Sequence, residues 1–361
     1  MEEADNHLPS PDGHEQEEEE EEEFENPDLV IKEYLLERVP EFRRLQELRD
    51  KGWKNPAGDI YFNKQRTQSD RQKKANDKFF FNLMKNITSE IQSQTSFFAL
   101  EKRPQSRTSI LDMCAAPGVF LSEARNHNQG ASIRGFSLCL HDGGHRFSVK
   151  SLQKTIEHLD INLLAADMGA TATTTNMNHP EAGLFLPRKL DDDETFDMVL
   201  CDGQVLRTHP RAEYRERREA ARLTMTQLAL GLGHMREGGR MLLVMHKFEA
   251  WNSVKLLYLF RKFAHVVVLK PKTGHALRNS YYLLITNIRP QHPEARRAVQ
   301  MWKDLWNAVT FVSDEEYVRL VRANEPDVHE LLAEFGDDLV ELGLGVWKTQ
   351  ADALANASFM S

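Results

Sequence analysis

Three aspartates that each close an apolar run carry the first chemical signal: Asp112 in "SILDMCAAPGVF", Asp167 in "INLLAAD" and Asp202 in "FDMVLCDGQ". A carboxylate at a strand end can hold a ligand or cap the next helix, and capping is the commoner use for one acid alone. Three in succession, the first followed by the turn Cys114, Ala115, Ala116, Pro117, Gly118, Val119, favour a ligand site. The turn lacks the Gly-x-Gly-x-x-Gly spacing that lets a pyrophosphate approach a helix N-terminus. It offers a backbone shelf for a ligand without phosphates, and S-adenosylmethionine fits that description. Its carboxylate and ammonium would meet the turn, Asp167 the adenine amino group, and Asp202 the methionine end with its reactive sulfonium.

The elements that must position these acids are short apolar strands separated by helical stretches. Strands are expected at 109–113, 132–138, 161–167, 196–202 and 240–246, then "HVVVLK" and "YYLLITNI", with helices at "FLSEARNH" and 211–235. Such alternation predicts a mostly parallel sheet with helices on both faces, and the last two strands, joined by a loop, suit an antiparallel edge pair. Ligands of open parallel sheets sit beyond the carboxyl ends of the strands, where the three acids fall. The polar stretch 168–195 reads as an insertion or lid. Residues 28–50 read as two amphipathic helices broken at Pro40, 79–91 as a helix packing Phe80, Leu83, Met84 and Ile87, and the chain after 294 as helical, with Val299, Trp302, Leu305, Trp306 and Val309 on one stripe.

The formal charge of -9 conceals a division, because residues 1–25 hold 13 acids and no Lys or Arg, leaving 42 acids against 46 bases in the rest. The acidic block is expected to be a disordered, solvating tail. Between 51 and 78, Lys64, Lys73, Lys74 and Lys78 are interleaved with Trp53, Tyr61 and Phe62, the composition of a single-stranded nucleic-acid surface and equally that of a solvated face over buried rings. Three cysteines cannot build a disulfide framework or a four-cysteine zinc site, so no metal is expected. With no membrane-length apolar run and no signal-like N-terminus, a nuclear or cytoplasmic protein without a membrane partner is expected.

"LDMCAAPGVF", "AADMG", "FDMVLCDGQ", "RLTMTQLALGLGHMREGGRMLL" and "KPKTGHALRNSYYLL" together resemble the FtsJ/RrmJ family of ribose 2'-O-methyltransferases, over roughly residues 75–290. The stretch "CDGQVLRTHPRAEYRERREAARL" is similar to a fungal branch of that family. The resemblance implies a Rossmann-like fold of the α/β class, S-adenosylmethionine as cofactor and methyl transfer to a ribose 2'-hydroxyl of rRNA or an mRNA cap. It implies a cofactor site of Asp112, Cys114, Ala115, Ala116, Pro117, Gly118, Phe120, Ser137, Asp167, Met168 and Asp202. The family's Lys-Asp-Lys-Glu set keeps only its aspartate, Asp202, because Asn82, Val244 and Ser280 stand where the two lysines and the glutamate are expected. Lys85 and Lys247 are the nearest substitutes for a base, and His246 and His275 flank the cleft. Lys73, Lys74, Lys78, Lys270 and Lys272 are the expected RNA contacts. The division expected is a tail at 1–27, a basic helical extension at 28–92, the methyltransferase domain at 93–290 and a helical extension at 291–361 open to a protein partner. The incomplete set leaves a second expectation, a catalytically degenerate module that binds the cofactor or RNA.

Overall fold

The computed structural model describes residues 25–70, 74–101, 106–170, 179–205 and 215–360. The acidic block up to residue 24 and Lys73 lie outside them.

Seven strands form one sheet: β1 (Ser109–Asp112), β2 (Ser132–Ser137), β3 (Ile156–His158), β4 (Phe196–Cys201), β5 (Met235–His246), β6 (His265–Leu269) and β7 (Ser280–Ile288), in the order β3-β2-β1-β4-β5-β7-β6. The first five run parallel, while β7 is antiparallel to both neighbours. The expected antiparallel pair forms, with β6 at the edge and β7 inside the sheet. All six residues of β4 are buried, as a central strand covered on both faces requires.

Proline places the first helices. α1 (Pro27–Arg38) begins at Pro27 with the Asn26 side chain accepting from the Asp28 N–H, and it stops at Val39, held extended before Pro40, which opens α2 (Pro40–Trp53). α3 (Pro56–Asp70) and α4 (Lys74–Thr95) follow. α5 (Val119–His127) and α4 cover one sheet face, where Met84, Ile87, Ile91, Val119 and Leu121 pack on Ile110, Leu200, Leu242 and Tyr282. The other face carries α6 (Glu219–Gly233), α7 (Trp251–Arg261), α8 (Pro293–Phe311) and α10 (Val328–Ala355), together with α1 and α2, and α9 (Asp314–Ala323) joins α8 to α10. Chain segments from both ends therefore share one core. Gly336 lies against Tyr34 of α1 and Gly343 against Phe248 and Trp347, so α10 seats where side chains would obstruct it.

Three expectations are corrected. The run 161–167 is a 3-10 turn, Ile161–Leu163, followed by further turns, because the Asp160 carboxylate accepts from the Asn162 N–H and starts the coil; the third strand lies earlier, at Ile156–His158. The helix expected over 211–235 begins at Glu219. The described part of the 168–195 insertion is anchored: Glu181, only 4% exposed, pairs with Arg215 and with Arg222 of α6, the latter at 2.7 Å, and His179 lies against Phe185 and Phe311.

Candidate active site

β1 and β4 pair in register from Ile110–Met198 to Asp112–Leu200, so Asp112 ends β1 beside the tip of β4, and Asp202 follows that tip. The two carboxylates interact. Burial raises the Asp202 pKa to about 7, and burial followed by the charge of Asp202 pushes Asp112 well above the usual carboxylate range. The Cys114 N–H donates to Asp112 at 3.1 Å, and no lysine or arginine is paired with either acid among the described residues. The Cys114 thiol beside them is pushed up by burial and by both acids, which makes it an inert neutral group.

The turn follows directly. Ala115 N–H donates to Phe136 O of β2 at 2.8 Å, and the Ala116–Pro117 bond is cis. Gly118, at φ +100°, caps α5 without any side-chain bond to its first-turn N–H groups. A carboxylate is the natural partner for such an uncapped helix start. A Cβ at Gly118 would lie 2.7 Å from Phe147 and 2.8 Å from Val149, so space as well as backbone conformation demands glycine.

Phe147 and Val149 belong to the segment that leaves β2. Residues 138–149 fold back over the turn, with Ser148 N–H donating to Pro117 O at 3.0 Å and the His145 ring stacked on Phe80 of α4 at 4.6 Å. Met84, Asp112, the turn and Asp202 close in on a crevice too tight, as it stands, to admit a small molecule.

The structure gathers Asp112, Cys114, Ala115, Ala116, Pro117, Gly118 and Phe120 around one crevice with Asp202, and separates other expected residues from it. The Asp167 carboxylate accepts from the Lys189 and Leu190 N–H groups, the latter at 2.8 Å, and so holds the insertion instead of facing a ligand. Met168 is fully buried in the core of the opposite face, and Ser137 is buried at the end of β2. Lys270, expected to meet RNA, points inward, donating to the carbonyls of Arg278 and Ser280; burial and the Arg49 charge lower its pKa to about 7. Lys272 and Lys78 are exposed, whereas the side chain of Lys74 is outside the described residues. Tyr61 and Phe62 pack on Phe359 and are not free to stack on bases.

Neither substitute base is paired with Asp202 among the described residues. Lys85 is exposed on α4, and Lys247, at φ +50°, follows the last residue of β5 and is exposed. Val244 and Ser280 hold the strand positions where the resemblance expected a lysine and the glutamate, and His246 bonds both Ser280 and Gln204. Gln204 and Tyr282 went unread in the sequence. Two-residue alternation from Ser280 would have put Tyr282 on this face.

The strand order, with six strands' worth of parallel-type order interrupted only by the reversed β7, and helices on both faces define a Rossmann-like methyltransferase fold. The sequence model of the FtsJ-like methyltransferase family matches residues 89–288, and the chain belongs to that family. No curated protein matches the chain. Among solved structures, a protein described as a ribosomal RNA methyltransferase from Plasmodium falciparum overlaps 56% of this chain and 96% of its own at 14% identity and a TM-score of 0.33. An O-methyltransferase family protein from Burkholderia thailandensis covers 73% and 71% at 11% identity and 0.32, and an rRNA methylase from Streptococcus thermophilus 55% and 96% at 9% identity and 0.30.

Proposed function

We propose that the protein is an S-adenosylmethionine-dependent RNA methyltransferase acting on a ribose 2'-hydroxyl of rRNA or an mRNA cap. The observation that carries the reading is the buried acid pair Asp112–Asp202 beside the uncapped start of α5. Two carboxylates without a cationic side chain favour a cationic ligand, and the helix start favours an anionic group. A molecule with a carboxylate, an ammonium and a sulfonium matches both. The residues therefore fit the methionine end of the cofactor; its adenosine end needs the 138–149 segment to swing away from Gly118.

When bound, the cofactor supplies an electrophilic methyl group. Asp202 orients the cationic end, the α5 N–H groups hold the carboxylate, and Phe120 and Met84 keep water from the crevice floor. Exposed Lys78, Lys85 and Lys272 on α4 and the β6–β7 loop would supply the positive charge that RNA phosphates need. Incubation with methyl-labelled cofactor and total RNA tests the reading. Label recovered in alkali-resistant dinucleotides, and lost with Asp202→Ala, is expected; no label, or equal label with the variant, overturns it.

A second reading, a degenerate domain that binds without catalysis, is favoured by Asn82, Val244 and Ser280 and by the narrow crevice. Calorimetry showing cofactor or RNA binding without label transfer would select it.

A further inference from the structure

Strand pairing brings a second group to the same end of the sheet. β4 and β5 match Cys201 with Leu243, and β5 and β7 match His246 with Ser280. Side chains alternate along a strand, so His246 shares the face of Leu242 and Val244, and Ser280 that of Tyr282. These apolar partners lie in the core under α4 and α5, the face that also carries Ile110 two residues before Asp112 and Leu200 two before Asp202. His246 and Ser280 sit one side-chain repeat nearer the mouth than Val244, about 6.6 Å along the strand.

The imidazole is held at both nitrogens: Nε2 is 2.8 Å from Gln204 Oε1 and Nδ1 is 3.0 Å from Ser280 Oγ. An amide oxygen only accepts, so these partners assign the proton to Nε2 and leave the Nδ1 lone pair facing the serine hydroxyl. The groups around it come from several elements: Lys270 from the end of β6, His275 and Arg278 from the β6–β7 loop, and Lys247 next in sequence. Burial, then Lys270 and Arg278, lower the His246 pKa from 6.5, and burial with the same cations takes His275 to about 4. Both rings are therefore neutral at pH 7.

We propose that His246 is the proton acceptor for the substrate hydroxyl through Nδ1, with Gln204 and Ser280 as its positioning residues. The proposal rests on the transferase reading above. The hydroxyl oxygen bonds the methyl carbon as the carbon–sulfur bond breaks and its electron pair stays on sulfur. The hydroxyl proton passes to Nδ1, in the direction Ser280 now occupies, and the resulting imidazolium returns it to solvent. Lys270 is committed to backbone carbonyls, and Lys247 lies past the end of the strand, so neither competes for this role.

The test uses the full chain with labelled cofactor and RNA. His246→Gln is expected to lower kcat by ~100-fold or more and to remove the acid limb of the pH–rate profile, with RNA affinity retained, whereas Lys247→Met stays near wild type. Nitrogen-detected NMR of the cofactor-free protein supplies a readout apart from activity: the Nε2–H tautomer and titration below 6.5, with Nδ1 shifting in Ser280→Ala. Wild-type protein that methylates no RNA overturns the transferase reading and the proposal with it. An active wild type with His246→Gln at full kcat, or an Nδ1–H tautomer, overturns the proposal alone.

Discussion

Asp202 shows how a single residue couples binding to stability. Its folded pKa of about 7 lies above the usual carboxylate value of 3.8, so between those values the folded state holds a proton that the unfolded chain has released. Stability therefore falls as pH rises from about 4 to about 7 and levels off beyond. Asp202→Asn removes this slope: the variant should melt ~2–4 °C or more above wild type at pH 8 and close to it at pH 4, as calorimetry would show. A cationic ligand offsets the same penalty, so its stabilising effect should be larger at pH 8 than at pH 5. Gly118→Ala places a Cβ against Phe147 and Val149 in a left-handed conformation, which costs ~1–2 kcal/mol before any displacement of the covering segment. Lower melting temperature and weakened cofactor affinity are expected together.

Among the elements, the strands that sequence periodicity placed well are those whose runs are apolar enough to be buried on two faces, such as "FDMVLC" and "YYLLITNI". β3 escaped because "IEH" is too short and polar to form a pattern, while the apolar "INLLAA" satisfied its burial in turns. Asp167 accordingly ends these turns, not a strand, with its carboxylate on the Lys189 and Leu190 N–H groups. Lys270 departs from expectation for a different reason: the sequence shows it beside the site but not the two carbonyls that draw its amine inward. The anchoring of the insertion was equally invisible, since Glu181 meets Arg215 and Arg222 from 34 and 41 residues away. Glu181→Ala leaves the Arg222 guanidinium, 1% exposed, without its carboxylate and Arg215 with Glu219 alone, at 3.6 Å. The expected loss is ~3–5 kcal/mol in urea unfolding, with faster proteolysis of the insertion.

At the scale of the molecule, the two terminal helical regions are structural parts of the site and not appendages. Arg49 of α2 bonds Glu249 at 2.7 Å, Gln350 of α10 at 3.0 Å and Asn279 at 3.1 Å, and Gln350 in turn donates to Asn279 at 2.8 Å. Asn279 immediately precedes Ser280, and Glu249 follows the tip of β5, so the clasp fixes the tips of β5 and β7 from behind. Arg49→Ala is expected to leave the sheet folded, by far-ultraviolet circular dichroism, while broadening the His246 resonances. Removal of residues 328–361 strips Leu331, Phe335, Leu339 and Trp347 from the core shared with Tyr281 and Leu283. That truncation should bind a hydrophobic dye and lose near-ultraviolet dichroism.

The sharing of one sheet face by α1, α2 and α10 also governs how the chain reaches this state. During synthesis every strand is made before α10, so the apolar patch that this helix covers waits bare until it follows. Nascent protein stalled near residue 325 should thus cling to chaperones, and release should come only as Trp347 emerges.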